Sequence, residues 1–213
     1  MRMYTRLTIS LSTGLMLLLS FTADAVLNMG SKTIFTGTLI KVLEPGPDLQ
    51  DIIDNITDAS AAKPYLIYLG AGVYDLGSTQ ITMKEYISLA GSGQQATTIT
   101  SAVIGTDGLA TGAVVITNDN VSLTDMTIKN TGGGMYSMAV FNGTASSSPR
   151  IERITVDVTG GTLVNMGIKN NNCSPIMTNI TATTSGNMDN RAVVNEDSAT
   201  PTMINVTASA SDG

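Results

Sequence analysis

Apolar and β-branched residues recur at a fixed period in the second half of the chain. Three stretches, SSPRIERITVDVTGG, CSPIMTNITATTSGN and ATPTMINVTASASDG, each place a proline ahead of alternating apolar and polar residues. The prolines are Pro149, Pro175 and Pro201, so the same interval separates each from the next. The same residue classes return behind each proline: Ile151, Met177 and Met203; Ile154, Ile180 and Val206; Val156, Ala182 and Ala208. This period of about 26 residues is typical of solenoids, in which each repeat stacks on the next.

The spacing within one repeat predicts short strands separated by bends. Ile154 and Val156 share one face of a strand, because successive side chains alternate across a strand. Ile151 is out of phase with them, so the chain has to bend in between. Asn179 and Asn205 recur at this bend, where asparagine tolerates left-handed backbone angles.

A third strand follows the glycines of each repeat. Val164, Met166 and Ile168 alternate with polar residues there, and the same step aligns these three with Asn190, Ala192 and Val194. Upstream the step lengthens to about 28 residues. A solenoid can accept such a small insertion in its turns. By this longer step Leu123 precedes Ile151, Met126 precedes Ile154 and Met138 precedes Met166. The pattern predicts an all-β fold over positions 63–213, a parallel β-helix with coils of about 26 to 28 residues.

One segment ahead of the coils has the helical period instead. In PDLQDIIDNI, residues 47–56, the apolar positions Leu49, Ile52, Ile53 and Ile56 follow the i, i+3, i+4, i+7 spacing of an amphipathic helix. A solenoid needs its open apolar end covered, so this short helix is predicted to be an N-terminal cap. A strand is predicted before it, over residues 33–43, and together they make up an N-terminal unit of residues 26–62.

The composition agrees with a β solenoid in a secreted protein. Residues are 42% hydrophobic but only 4% aromatic and 13% charged, which suits a core of small and medium aliphatic side chains. Arg2 and Arg6 precede an apolar run at 15–19, and Ala23-Asp24-Ala25 supplies a small-x-small cleavage site. Residues 1–25 are therefore predicted to be a secretory signal peptide, with an uncleaved anchor as the alternative. The protein is expected to be secreted, extracellular or on the cell surface, without a membrane span after cleavage.

The net charge and the histidine and cysteine counts limit which ligands the chain is expected to bind. The net charge is −6, and clustered Lys or Arg is lacking, so nucleic acid is not expected as a partner. Histidine is absent and Cys173 is the single cysteine, so no metal site and no cofactor are predicted. Cys173 is assigned to a turn as a small residue, with an intermolecular disulfide as the alternative.

Two further stretches resemble a known family. YLIYLGAGVYDLGSTQITMKEYISLAGSGQQATTIT (residues 65–100) and VSLTDMTIKNTGGGMYSMAVFNG (residues 121–143) resemble the opening coils of pectinesterase-like, pectin-lyase-like β-helices, and the resemblance covers residues 47–143. It implies a single-stranded, right-handed parallel β-helix. The family's catalytic strings QDT and GxVDFIFG do not occur, and Ser137-Met138 stands where the family commonly has a glutamine. The resemblance thus implies the scaffold without the family's catalytic set.

Four charged residues are nevertheless candidates for catalysis. Asp125, Glu152 and Asp157 fall on adjacent coils, with Arg153 beside them, and carboxylates with an arginine could do acid and base work on a uronate sugar. The alternative is structural. The longer step aligns Lys129 with Asp157 and Asp125 with Arg153, which predicts ion pairs on a solvated face.

The stacked polar faces predict a recognition surface for polysaccharide or for a surface protein. Its candidate ligand-contacting residues are Thr127, Thr155, Thr181, Thr207, Asn142 and Asn170. We therefore expect a non-catalytic module for recognition or adhesion. The alternative is a carbohydrate-active enzyme, an esterase or lyase acting on an acidic polysaccharide, and calcium is expected only in that case.

The last repeat begins at Pro201, and the sequence stops at Gly213, within that coil. An open β-helix end exposes apolar surface and unpaired backbone groups. We expect the C-terminal end to be incomplete and to be extended by further repeats or covered by self-association.

Overall fold

The protein is a parallel β-solenoid of stacked coils with one short helix near its N-terminus. The computed structural model describes residues 20–21, 37–46, 48–143, 148–186 and 189–212. The predicted signal peptide lies outside the described residues except for Ser20–Phe21, and so does the part of the predicted first strand that precedes residue 37. In the described part of the chain, no helix is long and apolar enough to cross a membrane.

Apart from one helix and one 3-10 turn, the described elements are strands. They are β1 (Ser20–Phe21), β2 (Thr38–Val42), α1 (Leu49–Asn55), β3 (Tyr65–Leu69), β4 (Gly72–Asp75), β5 (Ile81–Thr82), β6 (Ile87–Ala90), β7 (Thr97–Ser101), a 3-10 turn (Ala110–Gly112), β8 (Ala113–Ile116), β9 (Ser122–Asn130), β10 (Tyr136–Asn142), β11 (Arg150–Val158), β12 (Val164–Asn171), β13 (Ile176–Gly186), β14 (Asp189–Glu196) and β15 (Thr202–Asp212).

These strands form two sheets that run along the solenoid. The first has the order β2-β3-β6-β9-β11-β13-β15, with β4 and β7 alongside and β1 antiparallel at its edge. The second has the order β5-β8-β10-β12-β14. Neighbouring coils pair in parallel, with Ile154 opposite both Met126 and Ile180, so both predicted steps, the shorter and the longer, are confirmed in the first sheet.

The predicted repeat length is wrong by one residue for β14, which is the third strand of the last full coil. Val164 pairs with Asp189 and Met166 with Arg191, whereas the sequence pattern aligned them with Asn190 and Ala192. A shift of one residue moves a side chain to the opposite face of a strand. Ala192 therefore belongs to the interior cluster, and Arg191 takes the opposite face of β14.

The bend inside each coil is a single residue with left-handed backbone angles. Asn179 and Asn205 have φ of 55° and 53°, as the sequence predicted for this bend. Asp125 and Arg153 occupy the same place in the two preceding coils, with φ of 59° and 52°. The first two strands of the predicted three-strand coil are joined through this residue, so that β9, β11, β13 and β15 are long bent strands, whereas β6 and β7 are separate.

Stacked aliphatic side chains fill the interior, and the helix covers their N-terminal end. Leu123, Ile151 and Met177 form one such column and are fully buried. The predicted helix is confirmed as α1: Asp48 caps its N-terminus by accepting from the backbone N–H groups of residues 50 and 51, and Leu49 and Ile53 pack into the core. The helix thus closes the apolar end of the stack.

Candidate functional site

A cleft of about 310 Å³ lies on the second sheet, against its face that points away from the interior. Its floor comes from β10, β12 and β14, and the loop of residues 105–112 forms one wall. The residues that give it chemical character are Asp107, Tyr136, Met166, Lys169, Arg191 and Glu196. The cleft therefore combines an aromatic ring, an apolar floor and both signs of charge.

The floor is apolar because one face of each strand carries methionine or valine. Val164 and Met166 belong to a second apolar cluster, separate from the interior one, together with Met138 of the neighbouring strand. Met138 is fully buried in this cluster. Tyr136 packs at the edge of the cluster and remains partly exposed, so its ring borders the cleft.

The wall loop is fixed to the sheet at its start. The backbone N–H of Gly105 donates to the carbonyl of Tyr136 at 3.1 Å, and the N–H of Tyr136 donates back to Gly105 at 3.1 Å. Gly108 has φ of +52°, and a Cβ atom there would lie 3.1 Å from the tyrosine ring, so the loop needs glycine for close approach.

Asp107 orders the tip of the same loop. Its carboxylate accepts from the Thr111 hydroxyl at 2.7 Å and from the backbone N–H of Leu109 at 3.1 Å. The hydrogen bond from Thr111, and next that from Leu109, lowers the pKa of Asp107 below its usual value. Asp107 is therefore a charged acceptor at neutral pH.

Lys169 ties the wall loop to the floor. Its side chain is 7% exposed, and its Nζ atom donates to the carbonyl of Gly108 at 2.9 Å and to the Glu196 carboxylate at 2.9 Å. A nearly buried ammonium needs such partners, because burial of an unpaired charge is costly. Lys169 is thus held in place by both sides of the cleft.

Arg191 is the second cation of the cleft. Its Nε atom donates to Asp189 Oδ1 at 3.0 Å and its Nη2 atom to Asp189 Oδ2 at 2.5 Å, while Nη1 lies 3.9 Å from Glu196 Oε1. The hydrogen bond to Asp189 raises the pKa of Arg191 above its ordinary value. Glu196 therefore contacts both cations of the cleft.

The sequence analysis did not identify this cleft. The misplaced step of the third strand put Ala192 in the column of Met166, so Arg191 was assigned to no surface. Lys169 was also missed, because its neighbours in the column are the apolar residues Phe141 and Val194. The loop that covers the sheet belongs to a single coil and has no counterpart in the repeat.

Three of the four catalytic candidates contact one another at the bend. Arg153 donates to Asp125 through Nε at 2.5 Å and through Nη2 at 2.8 Å, and its Nη1 atom contacts Glu152. All three side chains are partly buried, and the bond to Asp125 raises the pKa of Arg153. Both carboxylates are thus directed at the guanidinium group rather than at a ligand.

The fourth candidate forms a separate pair. Asp157 lies on the second half of the bent strand and pairs with Lys129, with 3.1 Å between Oδ2 and Nζ. The ion pairs expected from the longer step, Lys129 with Asp157 and Asp125 with Arg153, are both present.

The prediction that two asparagines contact a ligand is wrong, because both lie inside the protein. Asn142 and Asn170 are 0% exposed. They belong to an internal ladder in which the amides of Asn142, Asn170 and Asn195 bond in turn at 2.7 Å, and Thr117 donates to Asn142 at 2.6 Å. The alternation of faces along the strand could have indicated this inward position, since Asn142 shares the inward face with Val140.

The threonine column is only partly available to a ligand. Thr127 is buried and donates to the backbone carbonyl of Gln94 at 2.5 Å, so its assignment to a ligand surface is wrong. Thr155 is half-buried, and its hydroxyl accepts from the Gln94 side chain at 3.1 Å. Thr181 and Thr207 are exposed. The loop before β7 thus covers the first two members of the column.

Comparison with known proteins gives one family. A model of the pectinesterase family matches residues 47–170, more than half of the chain. A search of curated proteins finds no match. Among solved structures, a pectin methylesterase from Erwinia chrysanthemi is similar, with 13% identity, a TM-score of 0.36 and coverage of 67% of this chain and 61% of that one.

A mutant pectin methylesterase in complex with hexasaccharide IV is also similar, with 12% identity and a TM-score of 0.35 over 70% of this chain and 66% of that one. The chain thus spans less than two thirds of the length of these enzymes.

Proposed function

This chain belongs to the pectinesterase family, and from that premise we propose that it is a secreted, non-catalytic module that recognises carbohydrate through the cleft on its second sheet. The observation that carries the proposal is the cleft itself, with a tyrosine ring and an apolar floor beside paired charged groups. Ligand sites are usually concave and mostly apolar, with a few polar groups that fix orientation.

The composition of the cleft supports a sugar ligand. A sugar ring has an apolar C–H face and a rim of hydroxyls, so it needs a flat apolar surface and groups that both donate and accept hydrogen bonds. The partly exposed ring of Tyr136 supplies the surface, and Met166, which is 2% exposed, belongs to the apolar floor. Arg191 supplies donors, and Glu196 and Asp107 supply acceptors.

The pairing of these charges supports binding rather than acid-base catalysis. A general acid must carry a proton near the working pH. The pKa of Asp107 is lowered, because it accepts from Thr111 and Leu109. Glu196 is engaged by Lys169, and Asp189 by Arg191. Each carboxylate around the cleft therefore has a fixed partner.

A second candidate function, a carbohydrate-active esterase or lyase, is favoured by one observation. Asp125, Glu152 and Arg153 form a contacting group of two carboxylates and an arginine. Such a group could act on an acidic polysaccharide if a ligand displaced Arg153 from one carboxylate. Calcium belongs to this alternative alone.

Binding is tested by titrating the purified protein with a panel of pectic and neutral oligosaccharides in a calorimeter. We expect Tyr136→Ala to weaken binding by about fivefold, since stacking on an aromatic ring contributes on the order of 1 kcal/mol. Tyr68→Ala is the control, because Tyr68 lies on β3 of the other sheet. Equal losses in the two variants, or no binding by the parent protein, would reject the cleft as the site.

Catalysis is tested by incubating the protein with the same polysaccharides, with and without calcium, and following methanol, reducing ends and unsaturated products. We expect no turnover. Turnover that disappears in Glu152→Ala or Asp157→Ala would replace the binding function with the enzymatic one. Turnover that survives both substitutions would point to a contaminant.

A further inference from the structure

The cations of the cleft are already neutralised by carboxylates of the chain. Lys169 pairs with Glu196, and Arg191 pairs with Asp189. Asp107 adds a further negative charge on the wall loop, and the whole chain carries a net charge of −6. The cleft is therefore balanced or slightly negative, although it contains a lysine and an arginine.

From this balance we infer that Glu196 is a specificity-determining residue, which together with Asp189 sets the cleft to bind uncharged sugar and to reject a free uronate. The inference rests on the proposed binding function and assigns a ligand class to it. The ligand class that it assigns is uncharged sugar.

A carboxylate ligand would find few unused donors in the cleft. Two of the three ammonium donors of Lys169 are directed at Gly108 and Glu196. The Nε and Nη2 atoms of Arg191 are directed at Asp189. A uronate would also have to approach Glu196 and Asp107, and like charges in contact disfavour a complex.

An uncharged sugar meets no such penalty. Its hydroxyls can donate to the free lone pairs of Glu196 and Asp107 and accept from the Nη1 group of Arg191, which is 3.9 Å from Glu196 and has room for another partner. The carboxylates that exclude a uronate are thus acceptors for a neutral ligand.

The central position of Glu196 makes it the residue to change. It is the carboxylate in contact with both cations, at 2.9 Å from Lys169 and 3.9 Å from Arg191. Glu196→Gln keeps the shape and an acceptor oxygen but removes the charge, so both cations gain attraction for an external carboxylate.

The experiment measures binding of one oligosaccharide in two forms, as the free uronate and with every carboxyl reduced to the neutral alcohol. We expect the parent protein to bind the neutral form at least about tenfold more tightly. Glu196→Gln should strengthen binding of the uronate about tenfold, while binding of the neutral form should weaken, because its hydroxyls lose a charged acceptor. The new uronate binding should weaken with added salt, because it is electrostatic.

The matched control is Glu85→Gln, which makes the same charge change at an exposed residue in the turn before β6. It should leave both affinities unchanged. Asp189→Asn, which frees Arg191, should shift preference in the same direction as Glu196→Gln. It also tests the inference if loss of the Lys169 partner prevents folding of the first variant.

The outcomes separate the inference from the function on which it rests. If the parent protein binds neither form, the binding function fails, and the inference fails with it. If the parent protein binds the uronate as tightly as the neutral form, the binding function stands and the selectivity is wrong. If the variants that fold leave the ratio of affinities unchanged, Glu196 and Asp189 do not set the specificity.

Discussion

Among single residues, Thr184 is unusual because its side chain is buried without a hydrogen bond. It is 0% exposed, and its hydroxyl has no partner among the described residues. Its neighbours in the stacked column, Val158 and Ala210, are apolar. An unsatisfied buried polar group costs about 1 to 3 kcal/mol. Thr184→Val keeps the shape, so we expect it to raise the free energy of unfolding in urea by about 1 kcal/mol.

Thr97 provides the matched control for that substitution. It is also 0% exposed, but its hydroxyl donates to the carbonyl of Gly70 at 2.9 Å and accepts from the N–H of Ser92 at 2.9 Å. Thr97→Val leaves these groups unpaired and should lower stability by about 1 to 2 kcal/mol. The same sign of change in both variants would contradict the assignment of Thr184 as unsatisfied.

Buried polar residues are also where prediction at the residue scale failed. The sequence predicts Asn142 and Asn170 on a ligand surface because the stacked faces of the coils are rich in polar residues. Here each amide pairs with the next at 2.7 Å, and a satisfied ladder is stable inside a protein. The longer step indicated that the two stack, but composition alone could not show that their partners are each other.

At the scale of the strand, the left-handed residue of each coil determines where the strand bends. Asn179 has φ of 55°, and its side chain accepts from Asn205 at 3.0 Å on the surface. A left-handed conformation costs a residue with a Cβ about 1 to 2 kcal/mol, whereas glycine adopts it freely.

We therefore expect Asn179→Gly to change the free energy of unfolding by less than about 0.5 kcal/mol and Asn179→Val to lower it by about 1 to 2 kcal/mol. Urea unfolding followed by circular dichroism measures both variants. The comparison holds side-chain loss constant, since each variant lacks the exposed hydrogen bond to Asn205. Equal stability of the two variants would show that backbone conformation at the bend is unimportant.

The strands themselves were predictable where one period holds, and the site was not. Stacked columns such as Leu123, Ile151 and Met177 follow from apolar residues at fixed steps. The step of the third strand is one residue shorter in the last full coil, and the alternation of its residues is too weak to reveal the change. A register shift of one residue reverses the two faces of a strand. The sequence pattern therefore did not identify Arg191 or the cleft around it.

For the whole molecule, the stack of coils implies that stability is transmitted between neighbours. In a solenoid each repeat contacts only the adjacent repeats, so a local change is felt first beside it. The N-terminal end depends on α1, whose Ile53 is 0% exposed and packs into the interior cluster. The helix is also held by Lys84, which donates to the carbonyls of Ile53 and Asp54 at 3.2 and 2.9 Å.

Loss of packing under the helix should therefore loosen the coils in order of distance from it. Ile53→Ala removes buried methyl groups, a change that typically costs about 2 to 5 kcal/mol. We expect amide hydrogen exchange to rise at least about tenfold in β3, the first strand after the helix along the chain, and to stay within about twofold in β13. Leu43→Ala is the control, because Leu43 is 62% exposed at the same end. A uniform rise in β3 and β13 would instead mean that the solenoid opens as one cooperative unit, in which the cap stabilises every coil equally.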